Sequence, residues 1–249
     1  MSVSQQLVPA LKHLRLSGVL ETLEVRNQQA LGEQWTYLEF LTRLVQNEVE
    51  RRAHKQLDLR ERIFAPPGMK DTGFSVPAAK LDRLATSYWT NEDTGALAVF
   101  DEAAGGQWSR PPAFPSGAAG LVSTIDDYLA FGQMMLNKGR YGNVRLLSRP
   151  SVETMTTDQL TPAQKALSGL LPGDFDNRGW GFGVSIVTRR DDLAATPGRY
   201  GWDGGLGTSW SSDPGEDMVA ILMTQRAGFP QFSGVYLDFW TSAYQAIDD

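Results

Sequence analysis

Cysteine is absent from this 249-residue chain. Disulfides, thiolate nucleophiles and cysteine-ligated metals are therefore excluded. Histidine is scarce: only His13 and His54 occur, both in the first 60 residues. Residues 61–249 hold none, which rules out a Ser-His-Asp triad or a histidine-based zinc site within that stretch. Both histidines read as solvated helix residues. No apolar run reaches membrane-spanning length, so no membrane contact is expected. Met1–Gln6 lacks a basic start followed by an apolar core, so no secretory leader is expected there and the default compartment is the cytoplasm. Positive charge is outnumbered, 23 Lys and Arg against 29 Asp and Glu, for a net −6. A general nucleic-acid footprint is not expected. No cofactor or metal is indicated.

What is present divides near Arg60/Glu61. Residues 1–60 carry eight Lys/Arg and seven Asp/Glu, net +1; subtraction leaves 15 against 22, net −7, for residues 61–249. The first stretch is poor in glycine and rich in leucine and glutamate. Val8, Leu11 and Leu14 recur at helical spacing, Gly18 breaks the pattern, and Val19, Leu20 and Leu23 resume it. Thr36 and Glu39 have the spacing of a capping box. Tyr37, Phe40, Leu41, Leu44, Val45 and Val49 then make an apolar stripe, with Arg43, Glu48, Glu50, Arg51 and Arg52 on the opposite face. Two short helices and one longer one, packed as a small bundle, are predicted.

The runs Leu11 to Glu24, Tyr37 to Leu41 and Glu48 to Arg52 resemble the N-terminal region of IstB-like transposition helper ATPases. The resemblance implies a partner from transposition for residues 1–60. No Gly-x-x-x-x-Gly-Lys-Ser/Thr loop occurs anywhere, so nothing cradles phosphates and ATPase activity is not implied. The bland alternative is an amphipathic bundle with no function of its own.

Residues 61–249 alternate between helix and strand signals. Ser123 or Thr124 caps a helix with Asp126 and Asp127 in its first turn, Leu129, Met135 and Leu136 along it, and Gly139 as its stop. Ser148 opens another helix through Met155, with Pro150 in its first turn. Residues 157–178 read as loop. Strands are predicted over Trp180 to Val187, Arg199 to Trp202, Thr208 to Trp210 and Met218 to Thr224, with a turn at Asp213–Glu216. Tyr88 to Asn91 reads as an aromatic-rich strand or loop. Tyr236, Phe239, Trp240, Ala243, Tyr244 and Ile247 mark a closing helix. The uncharged run Met218 to Met223 is expected at an exposed, aggregation-prone sheet edge.

Three blocks in this stretch are distinctive: Arg62 to Phe74 (RIFAPPGMKDTGF), Pro115 to Tyr128 (PSGAAGLVSTIDDY) and Tyr200 to Thr208 (YGWDGGLGT). In this order they resemble the C-terminal part of the β-lactamase-related serine hydrolases: class C β-lactamases, penicillin-binding-protein-like peptidases and related esterases. Pro67 stands where that family usually has leucine. The implied fold class is α+β, a small N-terminal helical bundle (1–60) joined to a truncated β-lactamase/transpeptidase-like domain (61–249), an antiparallel sheet flanked by helices. The chain thus reads as a chimera. The implied chemistry is acyl transfer on a small ester or amide substrate. The serine of Ser-x-x-Lys attacks, a Tyr-x-Asn or Tyr-x-x element assists, and a strand motif closes the site.

The nucleophile motif is missing. Three residues before Lys12, Lys55, Lys70, Lys80, Lys138 and Lys165 stand Pro9, Arg52, Pro67, Pro77, Met135 and Pro162. Gly-x-Ser-x-Gly is absent too. Tyr141-Gly142-Asn143 fits Tyr-x-Asn but reads as a turn. By the resemblance, Trp202 stands at the strand motif's Lys or His, Asp203 at its variable place and Gly204 at its glycine, and Gly205 supplies the oxyanion N–H. Trp202 brings no positive charge for a β-lactam carboxylate, which implies an esterase- or peptidase-like parent. The competing reading of Trp202–Gly205 is a Gly-rich hairpin with packed tryptophans. Without a nucleophile, the chain is expected to be catalytically inactive.

Overall fold

The computed structural model describes residues 3–91, 93–113, 115–167, 169, 173–228 and 233–248, with the side chains of 3–6 and 53–61 outside the described set. His54 therefore lies in a helix, but its surroundings fall outside the description. The chain forms two compact units, Met1–Glu61 and Arg62–Asp249.

The first unit consists of α1 (Val3–His13), α2 (Ser17–Glu33) and α3 (Tyr37–Leu59). Leu11, Val19 and Leu44 make its core, with Leu16, Leu20, Leu23 and Phe40 packed around them. The capping box is formed. Thr36 N–H donates to Glu39 Oε2 at 2.7 Å, and Glu39 N–H donates to Thr36 Oγ1 at 3.2 Å.

Three expectations for this unit are corrected. The break in the pattern read at Gly18 falls at residues 14–16, between α1 and α2; Gly18 itself sits in the first turn of α2, where α3 crosses and a Cβ would meet Glu48 Cα at 2.9 Å. Glu48 is not on the solvent face. It is 4% exposed and accepts the N–H groups of Gly18 (2.6 Å) and Val19 (3.3 Å). Leu16, the N-cap of α2, offers no side-chain bond, so a carboxylate from α3 satisfies the free N–H groups instead. Finally, the apolar stripe of α3 is split: Leu44 is buried and Phe40 half-buried, whereas Tyr37, Leu41, Val45 and Val49 are exposed.

The second unit is built on a five-stranded, wholly antiparallel sheet in the order β5 (Arg178–Trp180), β6 (Ser185–Val187), β7 (Tyr200–Gly204), β8 (Thr208–Asp213), β9 (Met218–Met223). The stretch expected as one strand, Trp180 to Val187, is a hairpin, because Gly181 N–H closes a turn on Val184 C=O at 2.9 Å and Gly183 has φ +85°. Two further two-stranded pieces stand outside it, β1 (Ser87–Thr90) with β2 (Leu97–Asp101), and β3 (Arg140–Tyr141) with β4 (Val144–Arg145). Residues 157–178 are not all loop: α6 (Pro162–Leu167) begins where Thr161 and Gln164 cap each other.

Alternation along the strands places two helices on opposite faces. Ile186, Tyr200, Trp210, Val219 and Ile221 face α4 (Ile125–Leu136), with Met134, Met135 and Val152 of α5 (Arg149–Met155) completing that core. Ala220 and Met218 face α7 (Gly234–Gln245), against Trp240 and Tyr244. Thr124 caps α4, Ser148 caps α5 and Ser233 caps α7. Gly132 lets α4 lie close to the sheet, since a Cβ there would fall 2.7 Å from Val219 Cγ1 and 2.9 Å from Trp210 Nε1.

Candidate active site

β7 and β8 form a hairpin in which Gly204 pairs with Thr208. Gly207, at φ +81°, completes the turn: its N–H donates to Gly204 C=O at 3.1 Å. A Cβ on Gly207 would lie 2.1 Å from Arg226 C=O, so only glycine fits. Gly228 N–H donates to Gly205 C=O at 2.9 Å, and Thr224 Oγ1 to Gly207 C=O at 2.8 Å. The loop is thereby tied to the chain leaving β9.

The four residues singled out by sequence are distributed as follows. Trp202 and Gly204 share the face that carries α4, but lie towards the hairpin end. Trp202 is 46% exposed there and meets Trp180 edge-on, with centroids 4.6 Å apart at 88°. Gly205 follows the strand in the turn and is exposed. Asp203 points to the other face, where it accepts from Ser209 Oγ at 2.5 Å and from Tyr236 Oη at 3.2 Å. Sequence reading gave Asp203 a variable place; the structure makes it the anchor of the strand's rear. Period-two alternation was the signal that could have found this. Burial, with the Asp203 carboxylate beside it, raises the Tyr236 hydroxyl pKa above the ordinary phenolic value.

A second polar group lies on the α7 side. Tyr244 Oη donates to Asp213 Oδ2 at 2.5 Å, and Asp213 is 1% exposed. The guanidinium of Arg199 lies 3.8 Å from the Trp240 ring centroid and donates to Ala194 C=O. Burial, then the bond to Asp213, pushes the Tyr244 pKa up.

The first two sequence blocks meet around Asp127. Its Oδ2 accepts from Asp71 N–H at 2.7 Å and from Thr72 Oγ1 at 2.9 Å. Gly73 and Val122 exchange backbone bonds at 3.0 and 2.8 Å. These blocks therefore clasp each other at the N-terminus of α4. Asp127 was read only as a favourable first-turn charge; it also has this tertiary role.

Three lysines of the second unit face carboxylates. Lys80 pairs with Asp71, Lys138 with Glu153 at 3.5 Å and Lys165 with Asp158 at 2.6 Å. Tyr141, Gly142 and Asn143 form the tight β3–β4 turn, with Gly142 at φ +54°. Among the described residues, no three His, Asp or Glu side chains stand together as a metal site, and no helix is long and apolar enough to cross a membrane.

The Beta-lactamase family model matches residues 6–241, and the chain belongs to that family. The matched span begins within α1 and crosses the boundary between the two units, whereas the sequence resemblance was placed only from residue 61 onward. Protein Rv1367c of Mycobacterium tuberculosis is 38% identical over 173 residues, covering 67% of this chain and 42% of that protein. A Salmonella typhi protein named "Putative D-alanyl-D-alanine carboxypeptidase" is 31% identical over 188 residues, covering 73% of this chain and 40% of that protein. The chain thus spans well under half the length of these curated relatives. Among solved structures, EstCE1, described as a hydrolase with promiscuous acyltransferase activity, shares the fold with a TM-score of 0.58 at 21% identity, over 81% of this chain and 54% of that one.

Proposed function

We propose that this chain carries the sheet half of a serine acyl-hydrolase of esterase or peptidase type, and that the 249 residues alone do not turn over substrate. The observation that carries this reading is the hairpin at Trp202–Gly205. A glycine strand and an exposed tryptophan stand on the sheet's α4 side, with no Ser-x-x-Lys in the chain to act there. Lys80, Lys138 and Lys165 are each engaged by a carboxylate, and none stands three residues after a serine. In this reading Gly205 N–H is a former oxyanion donor, Trp202 lines the acyl side, and the parent substrate is a small ester or amide. The names of the Salmonella relative and of EstCE1 are consistent with that class.

The test is turnover. The purified chain should release no product above a buffer blank from p-nitrophenyl esters or a chromogenic cephalosporin. Stoichiometric labelling of any serine by a fluorophosphonate probe would refute the inactive reading.

A second reading, in which residues 1–60 act as a partner-binding module of the helper-ATPase kind, is favoured by one observation. Leu38, Leu41, Val45 and Val49 leave an apolar ridge on α3 exposed. It predicts binding to a transposase that Leu41→Glu with Val45→Glu abolishes, and no shift in melting temperature with ATP. Undiminished binding by the double variant would exclude it.

A further inference from the structure

The ring of Trp202 does not stand alone. Trp180 meets it edge-on, with centroids 4.6 Å apart at 88°. Ser185 of β6 links their strands: it pairs with Trp180 on one side and with Gly201, the residue before Trp202, on the other. The backbone of Trp180 is clamped. Its N–H donates to Asp158 Oδ1 at 3.1 Å, and its C=O accepts from Gln159 N–H at 2.9 Å. The Lys165–Asp158 ion pair, at 2.6 Å, fixes that carboxylate. Glycine stands on both sides. A Cβ on Gly179 would fall 2.2 Å from Asp158 Cγ, and one on Gly181 would fall 2.0 Å from Met155 C=O. No side chain fits at either position, so this part of β5 lies directly against the segment from Met155 to Asp158. The indole is held by its backbone as well as by its neighbour.

We propose that Trp180 is a second wall of the acyl site, and that the acyl group it selects is a flat aromatic one bearing no carboxylate, as in an aryl ester or aryl amide. This rests on reading Trp202–Gly205 as a former acyl site. Two rings at right angles make a corner. A flat group entering it meets the face of one indole and the edge of the other, the two arrangements that aromatic pairs favour. An aliphatic chain gains contact area in the same corner but not that geometry.

Charge and spacing support the same class. By the resemblance Trp202 stands at the motif's Lys or His, and an indole carries no positive charge to answer an acyl carboxylate. Lys165, in the clamp behind Trp180, is engaged by Asp158. A carboxylate brought against the two rings would lose water without gaining a partner. Trp202 and Gly204 share a face about 7 Å apart along the strand, and Gly205 follows. An acyl group whose carbonyl meets the Gly205 N–H therefore brings a ring of benzoyl size to the indoles.

Ligand binding to the full chain tests this without turnover. Benzamide, benzoate and isobutyramide are titrated against isotope-labelled protein, and NMR reads the indole N–H of Trp180 and Trp202 and the amide of Gly205. Benzamide should shift all three signals together and bind more tightly than either other probe. Trp180→Ala should weaken benzamide roughly two- to tenfold, the worth of one aromatic contact, with a smaller change for isobutyramide. Trp180 is half-buried, so Trp180→Leu, which keeps apolar bulk, is the second variant. It should weaken benzamide as alanine does, whereas Trp180→Phe should retain most of the affinity. If benzamide shifts Gly205 and Trp202 but Trp180→Ala and Trp180→Leu leave its affinity unchanged, the role of Trp180 is overturned and the site stands. Equal or tighter binding of isobutyramide or benzoate overturns the aromatic preference. No shift at Gly205 with any probe overturns the site itself, and this inference with it.

Discussion

Tyr236 on α7 donates its hydroxyl to Asp203 on β7 at 3.2 Å, on the face of the sheet opposite Trp202. Ser209 fills the other carboxylate oxygen at 2.5 Å, so the strand bearing the candidate site is fastened from behind. The two partners of this bond are unequal. Tyr236→Phe leaves Asp203 with Ser209 and should cost about 1 kcal/mol. Asp203→Ala strands two hydroxyl donors and should cost about 2–3 kcal/mol. Urea unfolding of the two variants decides it, and equal costs would mean that Asp203 does not act as the anchor.

Alkaline pH should loosen α7. Tyr236 is raised by burial and then by Asp203, and Tyr244 by burial and then by its bond to Asp213. A phenol whose folded pKa exceeds its unfolded value of about 10 keeps its proton longer in the folded chain. Its contribution is complete below pH 10 and is lost as pH rises from there through the folded value. The melting temperature should therefore fall steeply above about pH 10. Tyr236→Phe with Tyr244→Phe should flatten that fall. An unchanged alkaline slope in the double variant would contradict this assignment.

Packing of α4 depends on Gly132. A Cβ there falls 2.7 Å from Val219 Cγ1 and 2.9 Å from Trp210 Nε1. Overpacking costs about 1–3 kcal/mol, but alanine also gains about 1 kcal/mol of helix propensity over glycine. Gly132→Ala should therefore be nearly neutral to mildly destabilising. Gly132→Val adds more bulk without the full propensity gain, and should lose about 2–3 kcal/mol. Val219→Ala should partly rescue Gly132→Val, a coupling that thermal unfolding of the double-mutant cycle measures.

Elements announced by local chemistry were legible in the sequence. Thr36 with Glu39, Thr124, Ser148 and the closing apolar helix each signal themselves within a few residues, and each stands where it was read. Long-range contacts were not legible. Nothing in the spacing of Glu48 says that it crosses to the N–H of Gly18, 30 residues away, and its charge placed it with Arg51 and Arg52 on a solvent face. Asp127 was read correctly as a first-turn charge but incompletely, because such a carboxylate looks alike whether it meets water or Asp71, 56 residues away. In the candidate site, the glycines of the hairpin could be read from sequence. That Asp203 and Trp202 serve opposite faces required the register of β7 with β8.

Acid should act first on the helical unit, through Glu48. Burial alone would raise its pKa, but bonds from Arg51, Arg52 and the Gly18 N–H outweigh it and lower the value to about 2. Its oxygens accept from Arg51 at 2.8 Å and Arg52 at 2.7 Å as well as from the two N–H groups that open α2. A carboxylate whose folded pKa is depressed contributes stability that is complete above its unfolded value, about 4.3, and is lost as pH falls through the folded one. The helical signal should therefore weaken between about pH 4 and pH 2, and the Gly18 amide should exchange faster over the same range. Glu48→Gln retains one acceptor but loses the charge, leaving two guanidinium groups and one helix end poorly answered. It should cost about 1–3 kcal/mol at neutral pH and remove the acid dependence. A Gly18 amide whose protection is the same at pH 6 and pH 2 in the unmodified chain would show that this carboxylate does not hold the start of α2.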